Sequence, residues 1–263
     1  MSAGVQAAGR GVEATDRLRR AGSVFAADEA RLLLEAAGDA SEFETLVLRR
    51  IAGEPLEYIL GWAEFCDLRI RVQPGVFVPR KRTEFLVERA AALASQRRHP
   101  LVIDVCCGSG AIGAALLTRV EGIEVHATDI DPAAVACARE NLGERAVVAV
   151  GDLFAGLPTD LLGRVDVIVA NAPYVPSAEI DLMPREARLH ESRLSLDGGG
   201  DGLALHRRIS ADAVEWLAPG GQLLIETSER QAERTALSVE NAGLDARVEH
   251  SEEFDATLVI GTR

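Results

Sequence analysis

The second half of the chain repeats one pattern, in which a short apolar run is followed by a turn and then by an amphipathic stretch. The runs are short and rich in β-branched or apolar residues, and they occupy 101–105, 124–128, 147–150, 165–170 and 222–226. Helical patterns separate most of them, over 111–120, 132–141 and 203–217. Strands that alternate with helices predict an α/β fold with a mostly parallel sheet covered on both faces. Two last runs, 246–251 and 256–261, are too close for a helix between them and predict an antiparallel C-terminal hairpin.

The first 60 residues have a different pattern. Apolar residues recur at three- and four-residue spacing through 12–60, which predicts a set of helices. Asp28 and Ser41 are the candidate N-caps. Glu44 follows Ser41 at the spacing of a capping box, which strengthens the second assignment.

The middle of the chain connects these two parts. Residues 61–79 are short extended runs with a turn at 73–75, which predicts a hairpin, and a helix resumes over 83–95. The glycine-rich run 197–202 predicts a mobile loop. The chain therefore divides into an N-terminal helical domain (1–60), a β-hairpin linker (61–80) and a main α/β domain (81–263).

Composition excludes several classes of protein. The formal net charge is −13, whereas broad nucleic-acid binding needs a basic surface. No apolar run of about 18 residues is present, and the charged first 22 residues lack an apolar core, so neither a membrane span nor a secretory leader is expected. The four cysteines form no C-x-x-C pair and the five histidines lack metal-ligand spacing. We therefore expect a cytoplasmic protein with reduced thiols and no metal.

A glycine-rich turn follows the first strand of the α/β segment. Residues 102–113 read Val-Ile-Asp-Val-Cys-Cys-Gly-Ser-Gly-Ala-Ile-Gly, so a buried strand enters a turn that opens a helix. Gly108 and Gly110 let backbone approach a ligand closely, and the helix N-terminus offers free N–H groups. Asp104 lies within the strand, where it holds a ligand amine or orients the turn. The spacing from Gly108 to Gly113 also matches the dinucleotide fingerprint.

Two more strands end in polar residues at the same edge of the predicted sheet. Asp129 ends one of them, where a carboxylate accepts the hydroxyls of a ribose or, alternatively, caps the helix that begins at Pro132. The run 165–170 leads directly into Asn171-Ala-Pro-Tyr174. Because ligands of open α/β sheets bind outside the carboxyl ends of the strands, these residues predict a binding site.

The segment 171–174 has the groups needed to hold a planar NH₂. The amide oxygen of Asn171 and the carbonyl of Ala172 would accept its two hydrogens. Pro173 would fix the turn, and the ring of Tyr174 would stack on the plane. A strand-ending turn with a packing tyrosine is the alternative interpretation.

Several blocks beside these motifs carry a resemblance to a known family. They are 53–61 (Gly-Glu-Pro-Leu-Glu-Tyr-Ile-Leu-Gly), 75–80 with Thr83-Glu84, 104–113, 129–132, 171–174 and 196–203. Over about residues 28–230 the chain resembles the HemK-type protein-(glutamine-N5) methyltransferases, which are class I S-adenosylmethionine-dependent methyltransferases with a Rossmann-like sheet. The resemblance implies S-adenosylmethionine as cofactor and, as substrate, the glutamine of the Gly-Gly-Gln motif in a peptide chain release factor. The N-terminal helical domain would dock that protein.

The resemblance also implies roles for individual residues. Those that would bind the cofactor are Asp104, Cys106, Cys107, Gly108, Ser109 and Gly110 at its methionine end, Asp129 at the ribose, Asp152 and Leu153 beside the adenine, and Asn171. Those that would hold the glutamine amide are Asn171, Ala172, Pro173 and Tyr174, which are also the catalytic residues. Phe77 would help to wall the pocket.

Two departures from the family pattern bear on the substrate more than on the reaction. Ala172 stands in the second position of the family's Asn-Pro-Pro-Tyr. It keeps the carbonyl acceptor but lacks the ring that presets φ, so the loop is less preorganised. The family's Pro-Arg-Pro-x-Thr-Glu reads Pro-Arg-Lys-Arg-Thr-Glu over 79–84.

The expected reaction is an SN2 methyl transfer from a sulfonium to an amide nitrogen. Segment 171–174 contains no general base, so its acceptors orient the NH₂ and stabilise the positive charge that grows on it. An N6-adenine methyltransferase remains an alternative, although the net charge of −14 over 101–263 weighs against it. A nicotinamide dehydrogenase would leave Asp104 and Asn171 unexplained. A cofactor-binding pseudoenzyme that recognises a protein partner is the third alternative.

Overall fold

The computed structural model describes residues 3–263, with side chains from Gly9 onward. The helices are α1 (Ala3–Arg20), α2 (Ala26–Ala36), α3 (Ala40–Ile51), α4 (Leu56–Leu60), α5 (Glu84–Ala94), α6 (Ala111–Arg119), α7 (Pro132–Leu142), α8 (Arg185–His190), α9 (Ala204–Trp216) and α10 (Ala232–Asn241). The strands are β1 (Trp62–Phe65), β2 (Leu68–Arg71), β3 (Leu101–Val105), β4 (Glu124–Asp129), β5 (Ala146–Val150), β6 (Val165–Ala170), β7 (Leu217–Thr227), β8 (Asp245–Ser251) and β9 (Ala256–Thr262). Within residues 3–263, no helix is both long and apolar enough for a bilayer crossing.

The main sheet has seven strands in the order β5-β4-β3-β6-β7-β9-β8. The first five of these are parallel to one another, and β9 is antiparallel to both β7 and β8. The predicted mostly parallel sheet with an antiparallel C-terminal hairpin is therefore confirmed. The hairpin does not simply extend the sheet in chain order, since β9 lies between β7 and β8.

Helices cover both faces of the sheet. Successive residues of a strand point to opposite faces, so Val102 packs on one side with Leu86 of α5 and Leu116 of α6. Ile103, the next residue of β3, packs on the other side with Ile209 of α9. All five residues of β3 are buried, including Asp104, which explains why the other four are apolar.

The N-terminal helices share a core of their own. It includes Leu18 of α1, Leu33 of α2 and Val47 of α3, so the helical prediction for this part is confirmed. The predicted caps are wrong. Asp39 caps α3, accepting the N–H groups of Ser41 and Glu42 at 2.8 Å each, while Asp28 lies inside the first turn of α2.

The predicted hairpin is present, but its turn is not the predicted one. Phe65 pairs with Leu68, which leaves Cys66 and Asp67 at the tip with φ of +52° and +62°. Two consecutive positive φ angles are typical of the type I′ turn that joins twisted antiparallel strands. In this hairpin the turn is formed by two residues that are not glycine. The 73–75 turn follows later, where the Val76 N–H donates to the Gln73 carbonyl at 3.0 Å.

Candidate active site

A cavity of about 640 Å³ lies at the carboxyl ends of β3, β4 and β6. This volume is in the range of pockets that bind small organic ligands. The predicted site residues on its wall are Phe77, Cys106, Cys107, Gly108, Ser109, Asp129, Asp152, Leu153, Asn171 and Pro173. The predicted residues Asp104, Gly110, Ala172 and Tyr174 are not on this wall.

The glycine-rich turn after β3 contains two glycines in the left-handed backbone conformation. Gly108 and Gly110 have φ of +54° and +75°, and a Cβ on Gly110 would lie 3.0 Å from the Cβ of Ala138 in α7. Only glycine combines this conformation with so close an approach. The turn is thus held against α7 with its backbone facing the cavity.

Asp129, the last residue of the neighbouring strand β4, stabilises that turn through hydrogen bonds. One of its carboxylate oxygens accepts the Gly108 N–H at 2.9 Å and the other accepts the Asp131 N–H at 2.9 Å. Burial raises the pKa of Asp129, and these backbone hydrogen bonds oppose the shift. The cap of α7 is Asp131, which accepts the Ala133 N–H at 2.8 Å, so the capping interpretation of Asp129 is wrong.

Asp104 is fully buried under the turn. Its Oδ2 accepts the Gly113 N–H at 3.2 Å, and its Oδ1 has no partner among the described groups. This hydrogen bond goes to the first turn of α6, the helix that the glycine-rich turn opens. Burial raises the pKa of Asp104 to about 7, and the charge of Asp129 adds to the shift.

We expect Asp104→Asn to remove a pH dependence of the free energy of unfolding. Between its ordinary pKa of 3.8 and about 7, the folded state holds a proton on Asp104 that the unfolded state releases. Stability therefore falls as pH rises through this window, by up to about 1.4 kcal/mol per pH unit. Urea unfolding of both proteins from pH 4.5 to 8 measures the difference, on the order of a few kcal/mol in total.

Asp245→Asn is the control for this prediction, because Asp245 is exposed at the start of β8. Its difference from the unsubstituted protein should stay constant over the pH range. If Asp104→Asn shows the same constant difference, the buried carboxyl group does not titrate in the window.

Asp152 and Leu153 follow β5 at the far end of the cavity. The Asp152 carboxylate accepts a hydrogen bond from Arg208 of α9 at 2.8 Å, and both residues line the wall. Leu153 is buried with φ of +56°. Sequence reasoning missed Arg208, because nothing in the helical pattern of 203–217 distinguishes it from other charged residues on that helix.

Asn171 follows the last residue of β6. Its Nδ2 donates to the Thr83 hydroxyl at 3.1 Å, which leaves the amide oxygen free to accept a hydrogen bond. Ala172 is 1% exposed. The ring of Tyr174 lies 6.3 Å from the ring of His206 at an angle of 51°, so its stacking on a bound amide stays a prediction.

A second glycine-rich segment, the loop 197–202, lies directly against 171–174. A Cβ on Gly198 would be 2.8 Å from both the Pro173 carbonyl oxygen and the Tyr174 Cα. Asp197 ties the loop by accepting hydrogen bonds from the Ser177 hydroxyl at 2.6 Å and the Gly199 N–H at 3.0 Å. The loop predicted as mobile therefore supports the Asn171 turn, a role that the glycine run alone does not reveal.

The hairpin linker covers the cavity from the other side. Phe77 is on its wall, and the Arg80 guanidinium lies 4.9 Å above the Phe77 ring. Arg80 also forms an ion pair with Glu191 at 2.5 Å, just before the segment 192–195 that lines the opposite rim. The linker and this segment thus meet over the site.

Comparison with known proteins agrees with this geometry. Residues 67–205 match the methyltransferase small domain family. The release factor glutamine methyltransferase of Geobacter sulfurreducens is 41% identical over 191 residues, which are 72% of this chain and 66% of that protein. The enzyme of the same name from Bifidobacterium longum is 34% identical over 89% of this chain and 91% of its own length. The crystal structure of a methyltransferase from Pyrococcus furiosus has the same fold, with a TM-score of 0.55 at 17% identity over 85% of this chain and 98% of that one. The predicted fold class and family resemblance are confirmed, and the chain belongs to the release factor glutamine methyltransferase family.

Proposed function

We propose that this protein transfers a methyl group from S-adenosylmethionine to the side-chain amide nitrogen of a glutamine in a peptide chain release factor, in the cytoplasm. The observation that carries the proposal is the position of Asn171. It stands at the end of β6 on the cavity wall, with its NH₂ occupied by Thr83 and its oxygen available. A glutamine NH₂ is a donor that matches this acceptor. Relatives that are 34–41% identical over the aligned residues are named for this reaction.

The residues present fit the cofactor. The left-handed turn at Gly108 exposes backbone to the cavity, and a Cβ there would lie 4.0 Å from that of Phe77. We assign this turn to the methionine end, Asp129 to the ribose, and Asp152 with Leu153 to the adenine. When bound, S-adenosylmethionine supplies a methyl group activated by a positively charged sulfonium.

The protein's contribution to the chemistry is positioning and electrostatic stabilisation. We assign the two N–H groups of the substrate amide to the Asn171 oxygen on the cavity wall and to the carbonyl of the adjacent Ala172, which would direct the nitrogen lone pair. These two oxygens also stabilise the positive charge that develops on that nitrogen. Orientation of this kind supplies about 7–11 kcal/mol of barrier lowering in favourable cases.

We assign docking of the release factor to the N-terminal helical domain, residues 1–60. The contact that supports this assignment is Arg50 of α3. It pairs with Glu29 of α2 at 2.9 Å and with Glu186 of α8 at 2.5 Å. Since α8 precedes the rim segment 192–195, a protein that inserts a glutamine into the cavity would meet these helices as well.

The experiment that tests the proposal is mass mapping of a release factor incubated with this protein and labelled S-adenosylmethionine. We expect one methyl group on the glutamine of Gly-Gly-Gln, and none on a release factor in which that glutamine is alanine. No transfer, with calorimetry still showing cofactor binding, would reject the release factor as substrate. No cofactor binding would instead favour the pseudoenzyme alternative.

A further inference from the structure

Glu226 is a buried carboxylate that the chemistry above does not use. The parallel register pairs Ala170 of β6 with Ile225 of β7, so Glu226 and Asn171 are the next residues of adjacent strands. The Glu226 side chain is 1% exposed, and neither of its carboxylate oxygens makes a hydrogen bond of normal geometry within residues 9–263. The Arg82 Nε lies 3.4 Å from Oε1. Burying a carboxylate without hydrogen-bond partners costs free energy, so the position of Glu226 needs a physical explanation.

Thr83 lies beside both Asn171 and Glu226. It is 2% exposed, it lies on the cavity wall, and its hydroxyl oxygen accepts the Asn171 N–H at 3.1 Å. Burial raises the pKa of Glu226, whereas the Thr83 hydroxyl and the Arg82 guanidinium favour its charged form. Glu226 is not on the cavity wall, whereas Thr83 is.

The direction of the hydrogen bonds follows from the chemistry of these groups. An ionised carboxylate only accepts, and both oxygens of Glu226 lack a donor at normal distance, so the Thr83 hydroxyl is the neighbouring group whose proton would satisfy one of them. The Thr83 oxygen is then available only as an acceptor, and only the NH₂ end of Asn171 satisfies it. The opposite orientation of the Asn171 amide would place two acceptors together.

We propose that Glu226 and Thr83 are positioning residues, which hold the Asn171 amide with its oxygen directed to the substrate. The reversed amide would present NH₂ to the NH₂ of a glutamine and would bind it poorly. This inference rests on the proposed role of Asn171 in holding the substrate amide.

The first test observes the orientation without any substrate. The chain has three asparagines, Asn141, Asn171 and Asn241, so protein labelled with ¹⁵N-asparagine gives three side-chain NH₂ signals. The Asn171 pair is identified by its disappearance in Asn171→Ala. We expect Thr83→Val, which keeps the shape and removes the hydroxyl, to shift that pair, and Thr83→Ser to retain the original position. An unmoved pair in Thr83→Val would overturn the proposal.

The second test measures single-turnover methyl transfer at saturating cofactor. We expect Thr83→Val and Glu226→Gln to lower the rate by about 10- to 100-fold with cofactor affinity retained, since small displacements of a positioning group have effects of this size. Thr83→Ser should restore most of the rate. Thr257→Val is the matched control, because Thr257 is a buried threonine of β9 bonded to His250, away from the cavity wall.

The two tests separate this inference from the proposed function. If the unsubstituted protein methylates no release factor, the proposed function fails, while the NMR signals still report whether Thr83 orients Asn171. If transfer occurs and Thr83→Val keeps the full rate, the positioning role fails and the proposed function stands. Equal losses in Thr83→Ser and Thr83→Val would assign Thr83 to packing and would also overturn the inference.

Discussion

Replacing Asn171 with alanine is expected to abolish methyl transfer while leaving the affinity for S-adenosylmethionine nearly unchanged. The alanine lacks the amide oxygen that orients the substrate nitrogen and offsets its growing charge. Removing one preorganised group of this kind lowers kcat by about 10²–10³-fold. The rate of transfer to a release factor and the calorimetric Kd for the cofactor measure the two effects separately.

Asn241→Ala provides the control, since Asn241 is exposed at the end of α10 and remote in sequence from the site. It should keep both the rate and the affinity. A fall in cofactor affinity that accounts for the lost rate of Asn171→Ala would contradict the role assigned to Asn171, and would place this side chain with the cofactor instead.

Gly198→Ala is expected to lower activity by about 100-fold, the effect of an ångström-scale misplacement of the reacting groups. The new Cβ would lie 2.6 Å from the Gly202 carbonyl oxygen and 2.8 Å from that of Pro173. Backbone atoms cannot turn aside as a flexible side chain does, so segment 171–174 must shift. Overpacking of this kind also costs about 1–3 kcal/mol of stability. Turnover and thermal unfolding measure the two losses.

Gly200→Ala is the matched control in the same loop. A Cβ on Gly200 would have no neighbour within 4 Å, and its φ lies outside the left-handed region. We expect it to behave as the unsubstituted protein does. Full activity in Gly198→Ala would show that the loop yields without moving Asn171, and that the close approach has no part in catalysis.

The central strands could be predicted because a strand that is buried on both faces of the sheet consists almost entirely of apolar residues. Strands β3 and β6 have the predicted bounds, since each is a short run between turns in which all residues but one are apolar. The residues at their carboxyl ends could be predicted for the same reason. A parallel sheet brings these ends to one edge, so the glycine turn and Asn171 had to lie together.

Several local features could not be predicted, because more than one residue satisfies the same rule. Asp39 and Ser41 are both good N-caps, and α3 uses Asp39 together with Glu42, which accepts the Gly38 N–H at 2.7 Å. The segment that forms α10 contains only two large apolar residues, Leu237 and Val239, so its composition alone does not predict a helix. It is helical because Val239 packs into the core on one face of the sheet.

By itself, the sequence determined the strands, the crossovers and the set of polar residues at the carboxyl edge, because each depends on neighbours in the chain. Only the tertiary structure decided that β9 enters between β7 and β8, that Gly198 rests on Pro173, and that Thr83 meets Asn171 from 88 positions away. Contacts of this kind join residues that are far apart in the sequence, and no local sequence pattern indicates that they meet. They depend on how the crossovers pack against the sheet, and that packing is settled only when the whole core forms.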